Sequence, residues 1–255
     1  MPAYLKKFPL LILLLCILFG VASCSTTSIN IVRTTWEPIE NEYFSFEPAT
    51  IFSDIDNDTE HFTRLDEPVD DSRPGEHYRW NQAEYYEIVS SIFENVWQES
   101  LQDFRLEKVL FRGICEFVDD GYYLGAFQFY RLSTPDQAGF VTKEIKSVGI
   151  EPIYGKIDVW TDVSHMPSEY LAAKDNHFES NSNILSADDA LKIAEDVAGA
   201  NYRDQVQNDC NLRITYNLED DEEEYERWRI RYFSKLPLLT IVVNAETGEY
   251  EVNPK

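Results

Sequence analysis

Two capped amphipathic helices, each followed by alternating apolar strands, predict an α+β fold. The expected architecture is two small units, each a helix packed on an antiparallel sheet, with the first at residues 81–162 and the second at 184–255. A third observation sets the boundary ahead of them. Residues 24–80 are acidic and interrupted by Pro38, Pro48, Pro68 and Pro74, which predicts a largely irregular tether with one short strand at Glu42 to Phe46.

The first unit opens at Asn81, an N-cap with Glu84 three residues on. Tyr85, Ile88, Val89, Ile92 and Val96 then recur at helical spacing, so a helix is expected from about Gln82 to Ser100. Leu106 to Val118 and Tyr122 to Leu132 are β-rich runs joined by Asp119-Asp120-Gly121, whose Asp-Gly step signals a hairpin. Both runs are apolar on both alternating sets, Val109, Phe111, Phe117, Phe127 and Phe129 against Leu110, Ile114, Leu124 and Tyr130, which predicts burial on two sides. After a loop near Pro135, further β structure is expected at Val141 to Val148 and Ile153 to Thr161. Residues 163–183 read as a polar connector.

In the second unit Ser186 is the expected N-cap, with Asp189 favouring the positive helix end. Ala187, Ala190, Leu191, Ala194, Val197 and Ala198 form one apolar face, and Gly199 is expected to end the helix. Leu212, Ile214, Tyr216 and Leu218 alternate with polar residues, as do Trp228, Ile230 and Tyr232, with the acidic run Glu219 to Glu224 as the hairpin tip between them. A third strand at about Leu239 to Asn244 runs into the turn Ala245-Glu246-Thr247-Gly248 and a final Tyr250-Glu251-Val252.

The helix opening Leu185-Ser186-Ala187-Asp188-Asp189-Ala190-Leu191, the hairpin, and Ile241-Val242-Val243-Asn244-Ala245-Glu246-Thr247-Gly248-Glu249 together resemble a PepSY domain over about residues 184–253. That resemblance implies a helix on a small antiparallel sheet and a role in protein interaction outside the cytosol. PepSY domains occur in propeptides of thermolysin-type metallopeptidases and have been proposed as peptidase inhibitors; the resemblance implies a protein partner, with a peptidase as one candidate, and does not identify it. The first unit repeats the order of elements: Tyr154-Gly155-Lys156-Ile157-Asp158-Val159 lies over Thr247-Gly248-Glu249-Tyr250-Glu251-Val252, a degenerate tandem pair or an unrelated α+β unit.

At the N-terminus, Lys6 and Lys7 precede an apolar run from Phe8 to Gly20, and Val21-Ala22-Ser23 lead into Cys24. The run is shorter than the roughly 18 to 20 residues that a spanning helix needs. Residues 1–23 resemble the signal peptide and lipobox of bacterial lipoproteins, which implies cleavage before Cys24 and a lipid on that cysteine. The expected location is extracytoplasmic, anchored to the outer membrane or to the outer face of the cytoplasmic membrane.

The net charge is −24, and losing Lys6 and Lys7 with the leader makes the remainder more negative. Such a surface repels nucleic acid. Cys115 and Cys210 remain after the leader and the lipid site are assigned. A disulfide between them is permitted outside the cytosol, and two independent buried thiols are the competing reading. His61, His77, His165 and His177 lie in expected loops or connectors away from any metal-ligand spacing, and no G-x-S-x-G elbow or phosphate loop occurs. No cofactor, metal site or enzymatic activity is therefore expected, an enzyme using unmarked carboxylates being the third choice. Asp54 to Glu60 starts like a calcium loop, but Thr59 and Leu65 replace the glycine and bidentate glutamate that an EF-hand needs. Weak calcium binding through charge is the most these acidic runs offer.

One feature runs against the acidity. If Trp228, Ile230 and Tyr232 face the helix, then Arg227, Arg229 and Arg231 face the other way beside Arg213. Arg213, Arg229 and Arg231 are the candidate partner contact, with neutralisation of the acidic tip, or pairing with the first unit, as the alternative. The functional expectation is a membrane-tethered protein-binding lipoprotein, with a structural envelope-assembly role as the rival.

Overall fold

The computed structural model describes residues 40–57, 61–68, 78–168, 184–216 and 226–253, and within them the chain is a mixed α+β fold with a large antiparallel sheet. The elements run β1 (Glu40–Ser45), α1 (Ile51–Asp56), β2 (Thr63–Leu65), α2 (Gln82–Asn95), β3 (Arg105–Ile114), β4 (Leu124–Leu132), β5 (Phe140–Glu151), β6 (Lys156–Pro167), α3 (Ala187–Ala194), α4 (Ala200–Gln205), β7 (Asn211–Tyr216), β8 (Arg227–Phe233), β9 (Leu239–Asn244) and β10 (Tyr250–Val252). All ten strands form a single sheet in the order β10-β9-β8-β7-β3-β4-β5-β6-β1-β2.

The helix starts form as their sequences predict. Asn81 and Glu84 make a reciprocal capping box on α2, and the Ser186 hydroxyl accepts from Asp189 N at 3.0 Å to cap α3. Tyr85 rests against Phe111 and Phe127, and Phe93 against Phe129, which places α2 on one face of the sheet. Trp228 Nε1 donates to Leu185 O, and the Tyr232 hydroxyl donates to Glu195, which places the α3 segment on the same face. The core between helices and sheet is continuous from Phe44 to Val243.

Three expectations are corrected. The two units do not carry separate sheets: β3 and β7, the first strand after each long helix, pair antiparallel from Val109↔Tyr216 to Ile114↔Asn211. Pairing satisfies backbone groups that two isolated edges would leave open. Within the segment 24–80, the described residues 40–57 and 61–68 are not an irregular tether: the short strand expected at Glu42 to Phe46 forms as β1, and α1 and β2 follow it. β1 pairs with β6 and β2 with β1, while Phe44, Phe46, Ile51 and Trp80 are buried, so a few large apolar residues outweigh the acidic, proline-rich composition. The double-sided apolar pattern of β3 and β4 gives two-sided burial only in part: on the sheet face opposite the helices Tyr130 is buried, while Leu110, Ile114 and Leu124 are half-buried.

Boundaries shift for local reasons. α2 stops at Asn95, capped by Val96, and Gln98 turns the chain at φ 55°. Strand β6 extends to Pro167, into the expected connector. Gly199 does not end its helix. Gly199 keeps a right-handed helical conformation (φ −62°), so the chain passes through it as a π-helical turn, Glu195–Gly199, into α4; a Cβ there would strike the Tyr232 hydroxyl and lie 2.8 Å from Glu195 Oε1. The helix thus keeps a bare spot where Tyr232 docks.

Both halves end in the same device. β5 turns through Gly155 (φ 59°) into β6, and β9 turns through Gly248 (φ 74°) into β10. At the second turn Asn244 Oδ1 accepts from Glu246 N and Thr247 N, both at 2.9 Å, and Thr247 Oγ1 accepts from Glu249 N. This local bonding accounts for the Asn-Ala-Glu-Thr-Gly-Glu pattern: the amide side chain builds the turn and glycine closes it at positive φ.

Candidate functional site

Among the described residues the helices cover one face of the sheet, and strand alternation decides which side chains lie on the other. Arg112 on β3, Arg213 on β7 and Arg231 on β8 are direct cross-strand partners and form one row at right angles to the strands. Arg229 lies one pleat along β8 opposite Thr215, which in turn pairs with Leu110. Lys108 is on the same face of β3.

Direct opposition of like charges across strands is unfavourable. At Arg213, desolvation of the guanidinium by burial and then the neighbouring guanidiniums of Arg231 and Arg112 hold the pKa below the ordinary arginine value. Burial and Arg231 do the same at Arg229. Among the described residues, Arg112 and Arg213 take part in no ion pair, and Arg213 Nε is buried without a hydrogen-bond partner. The sheet face changes character toward β5 and β6, where Lys156 lies 3.4 Å from both Glu151 and Asp158.

Arg213, Arg229 and Arg231 thus come together as one surface. Arg112, which completes the row, was missed by sequence reasoning. Its signal was present, because it belongs to the same alternating set as Leu110 and Ile114, but only the β3–β7 pairing brings it beside Arg213.

Cys115 and Cys210 form a disulfide with Cα atoms 5.3 Å apart, closing one end of the β3–β7 seam. Cys115 N also donates to Cys210 O at 3.0 Å. Near that seam the two long helices meet at their N-termini. Gln82 Oε1 accepts from Ala187 N at 2.5 Å, and Asp188 accepts from Gln82 N at 3.2 Å and from the Tyr122 hydroxyl at 2.7 Å. Burial, then Asp188, raises the Tyr122 pKa far above that of a free phenol, so it stays a donor.

The remaining sequence candidates are scattered. His61 Nε2 is 2.6 Å from Ser91 Oγ and fastens residue 61 to α2; His165 is exposed in β6, a strand rather than a connector, 3.0 Å from Thr142 Oγ1. Asp54 lies in α1 and accepts from Thr50 Oγ1, so the Asp54 to Glu60 run begins as helix instead of a calcium loop. Cys24, Asp58 to Glu60, His77, His177 and Glu219 to Glu224 lie outside the described residues. Among the described residues, no group of three or more His, Cys, Asp or Glu side chains is arranged to hold a metal ion, and no helix is long and apolar enough to cross a membrane.

No family model and no curated protein matches the chain. Among solved structures, a "putative lipoprotein" from Clostridium difficile 630 aligns with 13% identity and a TM-score of 0.36, over 72% of this chain and 100% of that one.

Proposed function

We propose that this chain is a lipid-anchored, extracytoplasmic binding protein that engages a protein partner through the open arginine face. It performs no catalysis of its own. The observation that carries the reading is the row Arg112–Arg213–Arg231, positive charge concentrated on one sheet face of a chain with net charge −24. Guanidiniums recognise carboxylates bidentately, which suits an acidic protein surface. The leader-like residues 1–23, directly ahead of Cys24, support the anchor and the location. The helix opening at Ser186 and the Asn244-to-Glu249 turn support a PepSY-like second half, and through it modulation of an exported peptidase.

Crosslinking the lipidated protein in its own envelope, followed by mass mapping, tests the contact. Crosslinks should cluster on β3, β7 and β8 and disappear in R213E/R229E/R231E; a stoichiometric peptidase among the captured proteins supports modulation. Crosslinks confined to the helix side would refute the arginine face, and a scaffold component as the stoichiometric partner would support envelope assembly instead. Cys24→Ala should abolish lipid labelling and leave an uncleaved precursor, and unchanged labelling would refute the anchor.

A further inference from the structure

The arginine row has a spacing, and the spacing selects the shape of its partner. Arg112, Arg213 and Arg231 sit on three adjacent strands in direct register. Neighbouring strands lie about 4.8 Å apart, so the Cα atoms that root the three arginines repeat at roughly that interval along a line crossing the strands. On one face of an extended peptide, side chains repeat every 6.7 Å or so, and the third falls almost 4 Å out of step with the third arginine. A helix repeats every turn, about 5.4 Å, and its third position is displaced by only about 1 Å.

We infer that the occupant of this face is an acidic α-helix of a partner protein, laid across β3, β7 and β8 with one carboxylate per turn over Arg112, Arg213 and Arg231. The inference rests on the reading of the open face as a contact surface and adds the form of the partner.

Three further observations agree. Half-buried Leu110 and Leu124 lie on the same face, one a pleat along β3 from Arg112 and the other its cross-strand partner on β4, giving apolar footing beside the charged line. All three positions in the row are arginine rather than lysine, as planar two-point pairing with carboxylates requires. Arg112 and Arg213 take part in no ion pair among the described residues, so arriving carboxylates relieve their mutual repulsion rather than displacing a charge partner.

The test uses the full chain in detergent and three labelled peptides of equal length and glutamate content. One is helical with its glutamates in a single stripe, one helical with them spread around the axis, and one extended with them at alternate positions. Anisotropy titration should show the striped helix binding at least about tenfold more tightly than either isomer, with affinity falling as salt rises. R112E/R213E should abolish that binding while circular dichroism stays unchanged. R112Q/R213Q guards against misfolding of the charge reversal: it should bind weakly and melt higher than the wild type, because like charges have been removed from opposed positions. If the spread helix or the extended peptide binds equally and the substitutions still abolish binding, the helical-partner inference falls and the contact surface stands. If no peptide binds, or if binding survives both double substitutions, the inference falls too. A lower melting point in R112Q/R213Q with unchanged binding would show that the arginines hold the sheet together, and would overturn both readings.

Discussion

Removing the Cys115–Cys210 disulfide should destabilise the protein without changing its fold. The bond joins residues 95 apart, at the end of the β3–β7 ladder. Chain-entropy arithmetic for a loop of about 100 residues assigns about 4.7 kcal/mol to such a closure, and measured bridges usually contribute about 2–4 kcal/mol. The native geometry does not depend on the bond, since the β3–β7 register and the Cys115 N to Cys210 O hydrogen bond hold the two ends together. C115A/C210A should therefore lose about 3–5 kcal/mol, chiefly by enlarging the unfolded ensemble. Guanidinium unfolding followed by tryptophan fluorescence and circular dichroism measures the loss, and hydrogen exchange locates it. Protection should fall throughout the slow-exchanging core, including α2 and β9 far from the bridge. A loss below about 1 kcal/mol, or one confined to amides near 113–115 and 210–212, would refute this account, because entropy taken from the unfolded chain acts on every globally protected amide.

Gly199→Ala should cost on the order of 1–3 kcal/mol by crowding the Tyr232 hydroxyl and Glu195, and Tyr232→Phe should recover part of that loss; strictly additive double-mutant energies would reject the steric cause. Ser186→Ala should cost on the order of 1 kcal/mol through the lost cap on Asp189 N, and an unchanged unfolding midpoint would count against it. Burial pushes the Glu99 carboxyl up, but its pairs with Lys146 and Arg131 outweigh that and hold its pKa below the ordinary carboxylate range. This stabilisation is complete above that range and disappears as pH falls through the lowered folded value, so Glu99→Gln should flatten the acid side of a melting-temperature profile. Superimposable acid limbs for wild type and variant would show that Glu99 contributes nothing there.

The elements of this protein were legible because their signals are local. A cap such as Asn81 or Ser186 satisfies an orphan N–H within one turn, and the side chain of Asn244 builds its own turn, so neighbouring residues suffice to read them. Alternation along β8 likewise marked Arg229 and Arg231 as a common face. The merging of the two halves was not legible. It depends on which edge strands find each other across about a hundred residues, and the apolar patterns of β3 and β7 serve equally well in separate sheets. The same limit hid α1 and the docking of the expected strand β1, since their few buried apolar side chains are diluted by acidic neighbours and acquire meaning only against β6 and Trp80. By itself the sequence determined the starts of α2 and α3, most of the strands, the Asn244 turn, and the face on which Arg213, Arg229 and Arg231 lie, since each follows from contacts a few residues apart. Only the tertiary structure decided that Arg112 stands beside Arg213, that Cys115 reaches Cys210, and that one sheet spans both halves, because those contacts follow from strand pairing between distant segments.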